Sequence, residues 1–246
     1  MLEVTLVGGP TALIRYGAQR WLTDPTFSEP GEYGGLVKTT GPAVSSDQLG
    51  PLDVVLLSHD HHADNLDPAG RELLAEAGRV LTTSLGAERL GAGTTGLDPW
   101  AEVQIDGVKV TAVPALHGPP GSEPVTGPVT GFVLEAPGEG RLYVSGDNAS
   151  VDVVAQIAQR LGPIEVAVLF VGAVQIAHRF GGAYLTLSSE RAAIATELLG
   201  VRAVIPVHFE GWTHFTQGLD QVRAAFAGYG LSDRLTAVER GQTVSV

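Results

Sequence analysis

Leu2-Glu3-Val4-Thr5-Leu6-Val7 alternates between apolar and polar positions, the period-two signature of a half-buried strand, and Ala12–Tyr16 and Arg20–Thr23 continue it. Gly8-Gly9-Pro10 and Gly17-Ala18 supply turns, so the chain is expected to open as an antiparallel meander. From Asp24 to about Pro51 the pattern lapses into a Gly/Pro-rich loop, long enough to be functional rather than a mere connection. Asp24 reads as turn chemistry, with a supporting role at a site as the alternative. Val54-Val55-Leu56-Leu57 is an unbroken apolar run, which fits a buried strand.

Further on, helix-period and strand-period segments alternate. Asp67-Pro68 caps a helix running to about Ala77, because an acidic N-cap and Pro at the first helical position suit an N-terminus. Helices are also expected over Ser84–Leu90, 151–161, Thr186–Leu199 and Thr216–Ala227, with Ser188 or Thr186 near the start of the fourth. Strands are expected at Arg79–Thr82, Thr130–Leu134, Arg141–Val144, Glu165–Leu169, Arg202–Val207, Leu235–Val238 and Thr243–Val246. Asp106-Gly107, between Val103–Ile105 and Val108–Val113, is the strongest hairpin signal. Hairpins in both halves favour two sheets covered by helices over one parallel sheet, and no linker or repeat divides the chain, so residues 1–246 are read as one domain.

Several of these strands end in residues that can bind metal. The buried run leads into Ser58-His59-Asp60-His61-His62-Ala63-Asp64-Asn65; later strands lead to His117, Asp147 and His208. Imidazoles at i and i+2 directly after a strand, with a carboxylate three residues on, can converge on one divalent cation. A polar surface turn would explain Asp60 and Asp67, but not histidine at 59, 61 and 62. Taken singly, His117 is equally a loop histidine, Asp147 a turn aspartate and His208 a core histidine. Jointly they sit after apolar strands, where active sites on layered folds collect.

Composition narrows the rest. With 246 residues, 44% hydrophobic and 17% charged, the chain can bury a large core, and it has no apolar run long enough to span a membrane. A net charge of −12 with no basic run argues against a nucleic acid polymer as partner. No cysteine is present, so disulfides are excluded and a metal must take His and Asp ligands. No secretory signal is visible in residues 1 to 20, and a cytoplasmic location is expected.

Thr23-Asp24-Pro25, Ser58-His59-Asp60-His61 with Asp64, then His117, Tyr143-Val144-Ser145-Gly146-Asp147 and Pro206-Val207-His208 resemble the metallo-β-lactamase-fold hydrolases, in particular the branch containing L-ascorbate-6-phosphate lactonase. The matching pieces run in the family's order over nearly the whole chain. The resemblance implies an α+β, four-layer αββα sandwich with a metal site at one edge between the sheets. It implies His59, His61 and His117 as ligands of a first cation, Asp147 as a bridge, and Asp64 with His208 on a second. The cofactors expected are two divalent metal ions, zinc best suited and manganese or iron as alternatives.

The sequence departs from the family's His-x-His-x-Asp-His: one residue is inserted, His62 becomes an extra imidazole, and Asn65 stands where the last His belongs. Three readings stay open. His62 replaces the missing ligand, Asn65 coordinates through its carbonyl, or the second site is loose or empty. Gly9-Pro10-Thr11 also lacks the His that relatives often carry before the Thr.

A cation held by neutral imidazoles lowers the pKa of water at an open position from about 15.7 to about 7. The reaction expected is therefore hydrolysis of a small ester, lactone or phosphoester, with Asp64 and His208 as catalytic residues. His178, Arg179 and His214 are candidates to contact the substrate, with Glu210 and Trp212 nearby; Arg179 reads equally as the grip on an anionic substrate by two hydrogen bonds or as an ordinary surface ion pair, and Trp212 and Phe215 read as packing. The competing readings are a phosphodiesterase acting on small nucleotides or phospholipid-like substrates, and a metal-binding homologue with little catalytic activity. A homo-oligomer is left open.

Overall fold

The computed structural model describes residues 2–176 and 179–246. The opening meander forms as expected: β1 (Glu3–Gly8), β2 (Thr11–Tyr16) and β3 (Gln19–Thr23) pair antiparallel. The long segment after Asp24 is not a bare loop, because β4 (Gly31–Tyr33) and β5 (Leu36–Lys38) form a hairpin. Its turn is Gly34-Gly35, both at positive φ (58° and 83°), a conformation glycine enters without a Cβ penalty.

β6 (Val54–Leu56), β7 (Arg79–Thr83) and β8 (Thr94–Leu97) add parallel strands beyond β3. The last of these lay outside the expected set. A second sheet takes β9 (Glu102–Ile105), β10 (Val108–Ala115), β11 (Val129–Glu135), β12 (Leu142–Val144), β13 (Val166–Phe170) and β14 (Ala203–Val207), in the order β14-β13-β12-β11-β10-β9. Finally β15 (Thr243–Ser245) returns to the free edge of β1, antiparallel to it. The expected strand at Leu235–Val238 does not form; after the 3₁₀ turn Ser232–Arg234 the chain touches β14 only at an isolated bridge of Leu235 with Val204, with Thr236 N donating to Val204 O at 2.8 Å.

Burial explains why Val54–Leu57 has no alternation. Val54 and Leu56 pack into the cluster between the sheets with Val4, Ile14, Val110, Phe132 and Leu142. Val55 and Leu57 point the other way, into an outer cluster with Phe27, Leu49, Leu66 and Leu73. Each such side chain contributes roughly 1.5–3 kcal/mol on leaving water. α1 (Pro68–Leu73) and α2 (Ser84–Leu90) accompany the first sheet, and the short α3 (Glu123–Thr126) follows β10. α4 (Val151–Leu161), α5 (Ser189–Leu199) and α6 (Leu219–Gly228) cover the second sheet, inserting Val154, Ile157, Ala192, Val222 and Phe226. The result is the four-layer αββα sandwich.

Caps fix where the helices begin. Asp67 accepts the Gly70 N–H at 2.8 Å, and α1 ends at Leu73 with one 3₁₀ turn carrying the chain on to Glu76. Ser188 accepts from the Arg191 N–H, which starts α5 at Ser189 rather than Thr186. The last long helix starts at Leu219 rather than Thr216, after Gly218. Among the described residues, no helix is long and apolar enough to cross a membrane.

Candidate metal centre

Three strand ends leave the sheets with the backbone turned to positive φ: Asp24 (27°) after β3, Gly146 (57°) after β12 and His208 (59°) after β14. For Asp24 and His208 the conformation is strained, a cost of order 1–3 kcal/mol each. At His208 it is held by the His208 N–H donating to Gly9 O at 2.7 Å. Gly172 packs against the His208 carbonyl so closely that a Cβ there would lie 2.2 Å from the oxygen.

The imidazoles arrive already oriented. His117 Nδ1 donates to Leu185 O at 2.7 Å, leaving Nε2 unprotonated. His61 Nε2 donates to Thr126 O at 2.5 Å, leaving Nδ1. Ser58 Oγ donates to Asp24 Oδ2 at 2.6 Å, so the same oxygen accepts from His59 Nδ1 at 2.9 Å and leaves His59 Nε2. His59 Nε2 in turn faces His62 Nδ1 at 2.9 Å. The ring centroids of His59 and His117 lie 5.4 Å apart, and those of His62 and His117 5.2 Å.

The carboxylates complete the cluster. Asp147 lies with Oδ2 3.8 Å from His117 Nε2 and Oδ1 3.5 Å from His208 Nε2. Asp64 Oδ2 is 3.4 Å from His208 Nε2 and accepts from His214 Nε2 at 2.8 Å. Ligand-type atoms therefore gather in overlapping groups: His59 with His61 and His62, His59 with His117 and Asp147, and Asp64 with Asp147 and His208.

Burial governs the charges here. It holds His59 well below the ordinary imidazole value, helped by the neighbouring His62, His117 and His61, and brings His117 to about 3 and His62 to about 4. Burial lowers His208 as well, against the pull of Asp64. These rings are neutral at pH 7, the form that coordinates metal. Burial pushes Asp147 well above the carboxylate range, reinforced by Asp64 and Asp24. Burial also opposes ionisation of Asp64, yet the close His208 ring and the hydrogen bond from His214 carry it well below that range.

Among the described residues, Asp147 Oδ2, both ring nitrogens of His208 and Asn65 Oδ1 are buried without a hydrogen-bond partner. A buried polar atom left unpaired costs roughly 1–3 kcal/mol. Inward lone pairs on imidazole beside mutually repelling carboxylates form a donor set that divalent cations satisfy, so the residues present fit the metals that the resemblance implies.

Asp24 departs from its reading as turn chemistry. It is buried and accepts from Ser58 N and Ser58 Oγ, both at 2.6 Å, and from Asn65 Nδ2 at 2.9 Å. Burial pushes it up to about 7 against these bonds. Asn65 Nδ2 also reaches Asp147 Oδ1 at 3.3 Å, so the residue in the missing histidine's place links two buried carboxylates. Lys38, unremarked in the sequence, is buried with Nζ 2.8 Å from Asp67 Oδ2 and donates to Thr26 O at 2.9 Å. No local pattern announces either arrangement, because both depend on segments meeting from opposite ends of the loop after β3.

A cleft of about 750 Å³ opens over the cluster. Its walls are largely apolar, with Tyr33, Leu36, Val125, Val174, Ile176 and Phe180, while His61, His62, Asp64, His117 and His214 lie along its lining. The β4–β5 hairpin reaches it by pairing with the segment after His208: Thr39 N donates to Gly211 O at 2.8 Å and Thr213 N to Val37 O at 3.0 Å. Arg179 and Arg71 line the cleft. His178 lies outside the described residues. His214 is in the cleft but is also bonded to Asp64. Glu210, expected near the substrate, instead pairs with Arg240 at 3.3 Å and accepts the Gly9 N–H at 2.8 Å. Trp212 is buried, with Lys38 Nζ 5.6 Å from its ring centroid, and so packs.

Residues 19–209 match the family model described as the beta-lactamase superfamily domain. A relative named UPF0173 metal-dependent hydrolase, from Pyrococcus furiosus, is 27% identical over 217 residues, spanning 86% of each chain. An isothiocyanate hydrolase from Delia radicum gut bacteria superposes with a TM-score of 0.86 at 19% identity, over 99% of this chain and 98% of that one. A possible metal-dependent hydrolase from Veillonella parvula gives 0.87 at 17% identity over the whole of both chains. At these identities the two superpositions bear on the fold.

Proposed function

The chain belongs to the beta-lactamase superfamily domain family, and from that membership we propose that this metal-dependent hydrolase cleaves a small, largely apolar ester, lactone or phosphoester in the cleft above His61 and Asp64. The observation that carries the reading is the meeting of His59, His61, His117, Asp147, Asp64 and His208 from distant strand ends beneath an apolar-walled cleft. His59, His61 and His117 would hold one cation, Asp64 and His208 a second, with Asp147 between them. Zinc suits this donor set best, with manganese or iron as alternatives.

Bound there, divalent cations supply an activated water and positive charge for a developing oxyanion. The chain supplies the rest. Asp64, ionised and held by His214, accepts a proton at Oδ2 as the bond to the scissile centre forms. His208, neutral and packed on Phe170 with ring centroids 5.1 Å apart, keeps Asp64 and Asp147 in register. Tyr33, Leu36, Val125 and Ile176 hold the substrate body and exclude water, which strengthens the electrostatics below.

Turnover on a panel of aryl and alkyl esters, lactones, phosphodiesters and isothiocyanates, with and without added metal, tests the proposal. The isothiocyanate arm is included because a protein of that name shares the fold. A phosphorylated sugar lactone tests the narrower kinship with L-ascorbate-6-phosphate lactonase. Arg71 and Arg179 at the cleft support a second reading, a phosphodiesterase on small nucleotides or phospholipid-like substrates. Activity on apolar esters or lactones supports the first, whereas activity restricted to phosphodiesters replaces it with the second.

A further inference from the structure

The inserted residue in the loop after β6 adds an imidazole where the family pattern has none, and His62 does not replace Asn65 on the side of Asp64 and His208. His62 Nδ1 faces His59 Nε2 at 2.9 Å, with the two rings at 90° and their centroids 4.8 Å apart. The tautomer of His59 is set by its other nitrogen, which donates to Ser58 Oγ because the Ser58 hydroxyl proton is spent on Asp24. His59 Nε2 is thus a lone pair that accepts from His62 Nδ1–H, so a cation would have to displace only that one proton to take both ring nitrogens. Two neutral imidazoles brought nitrogen to nitrogen, with a third ring, His61, whose centroid is 4.3 Å from that of His62, make an all-imidazole donor group.

Asn65 is differently employed. Its Nδ2 donates to Asp24 at 2.9 Å and to Asp147 at 3.3 Å, so both amide hydrogens are committed to carboxylates. We propose that His62 is a ligand of the same cation as His59, and that Asn65 is a positioning residue that braces Asp147 against Asp24. This deepens the hydrolase reading and rests on it. The centre it describes is asymmetric: an imidazole-rich site that binds tightly, and a site of Asp64, Asp147 and His208 short of one histidine that binds weakly.

The test is titration of the metal-free full chain with cobalt(II), followed by the visible d–d absorption and by metal content after dialysis, in wild type, His62→Ala, His62→Gln and Asn65→Ala. His62 is partly exposed, so both substitutions at 62 leave the core intact, and the glutamine variant keeps the length without a ring nitrogen. The proposal predicts that both His62 variants alter the spectrum of the tight cobalt and weaken it at least tenfold, since losing even an outer partner of a ligand costs about 10–100-fold. Asn65→Ala is predicted to leave the tight spectrum in place and to weaken only the second equivalent. Tight cobalt with an unchanged spectrum in both His62 variants overturns the proposal, as does loss of the tight site in Asn65→Ala alone. Wild-type protein that takes up no cobalt overturns the hydrolase reading itself.

Discussion

Ser58 stands between His59 and Asp24, accepting from the His59 ring at 2.9 Å while donating to the carboxylate at 2.6 Å. The imidazole is thereby fixed in one tautomer from beneath, by a carboxylate that never reaches the cleft. Ser58→Ala removes that acceptor and frees the ring to rotate. It is expected to weaken the first cation about 10–100-fold, with little loss of helix or sheet content. Competition with a chromophoric chelator, alongside circular dichroism, measures both quantities; unchanged affinity would show that the tautomer is not set from below.

Gly172 leaves no room for a side chain beside the His208 carbonyl, where a Cβ would lie at 2.2 Å. Gly172→Ala must therefore push the backbone at His208, whose φ of 59° is already strained. The second equivalent of metal is expected to fall away while the first remains. Metal content of the variant after dialysis decides it, and two retained equivalents would contradict the placement of His208.

Much of this architecture was legible along the chain, and the exceptions share a cause. The meander, the Asp106-Gly107 hairpin and the ends carrying His59, His117, Asp147 and His208 announce themselves because period, turn chemistry and strand termination are local. The β4–β5 hairpin was missed, since Gly31–Lys38 is too short and too polar to show alternation against a Gly/Pro background. Asp24 was misread because its partners, Ser58 and Asn65, are more than thirty residues away. A separation of 29 residues likewise hid Lys38 and Asp67, whose pairing shows only once the hairpin has folded.

Lys38 and Asp67 are both almost fully buried, at 3% and 0% side-chain exposure. Asp67 also accepts from Phe27 N at 2.9 Å, Ser28 N at 2.8 Å and Gly70 N at 2.8 Å, so three backbone donors hold the carboxylate charge in place beside the lysine. Lys38→Met strands that charge and is expected to cost about 3–5 kcal/mol, as does breaking other buried pairs. Urea unfolding measures it. A loss below about 1 kcal/mol, the size of an exposed pair, would mean that water reaches Asp67.

Tyr16 is buried with its hydroxyl donating to Leu134 O and Gly140 O, and burial pushes it up from 10.0 to about 12. The folded state therefore keeps its proton where the unfolded chain begins to lose it. Its contribution is complete below pH 10 and declines as pH rises toward 12, at a limiting slope of about 1.4 kcal/mol per unit. The stability difference between wild type and Tyr16→Phe is expected to shrink across that window; a constant difference would remove ionisation from the account.

The central claim, that side chains from distant strand ends hold the cations on which hydrolysis depends, is tested most directly by metal content and turnover measured together on one preparation. The purified chain, stripped with chelator and then given zinc or manganese, is predicted to recover ester or lactone hydrolysis in step with metal bound per chain. Asp147→Ala should hold at most one equivalent and turn over at least a hundredfold more slowly. Full activity in the stripped protein, or two equivalents and normal turnover in the Asp147 variant, would contradict it.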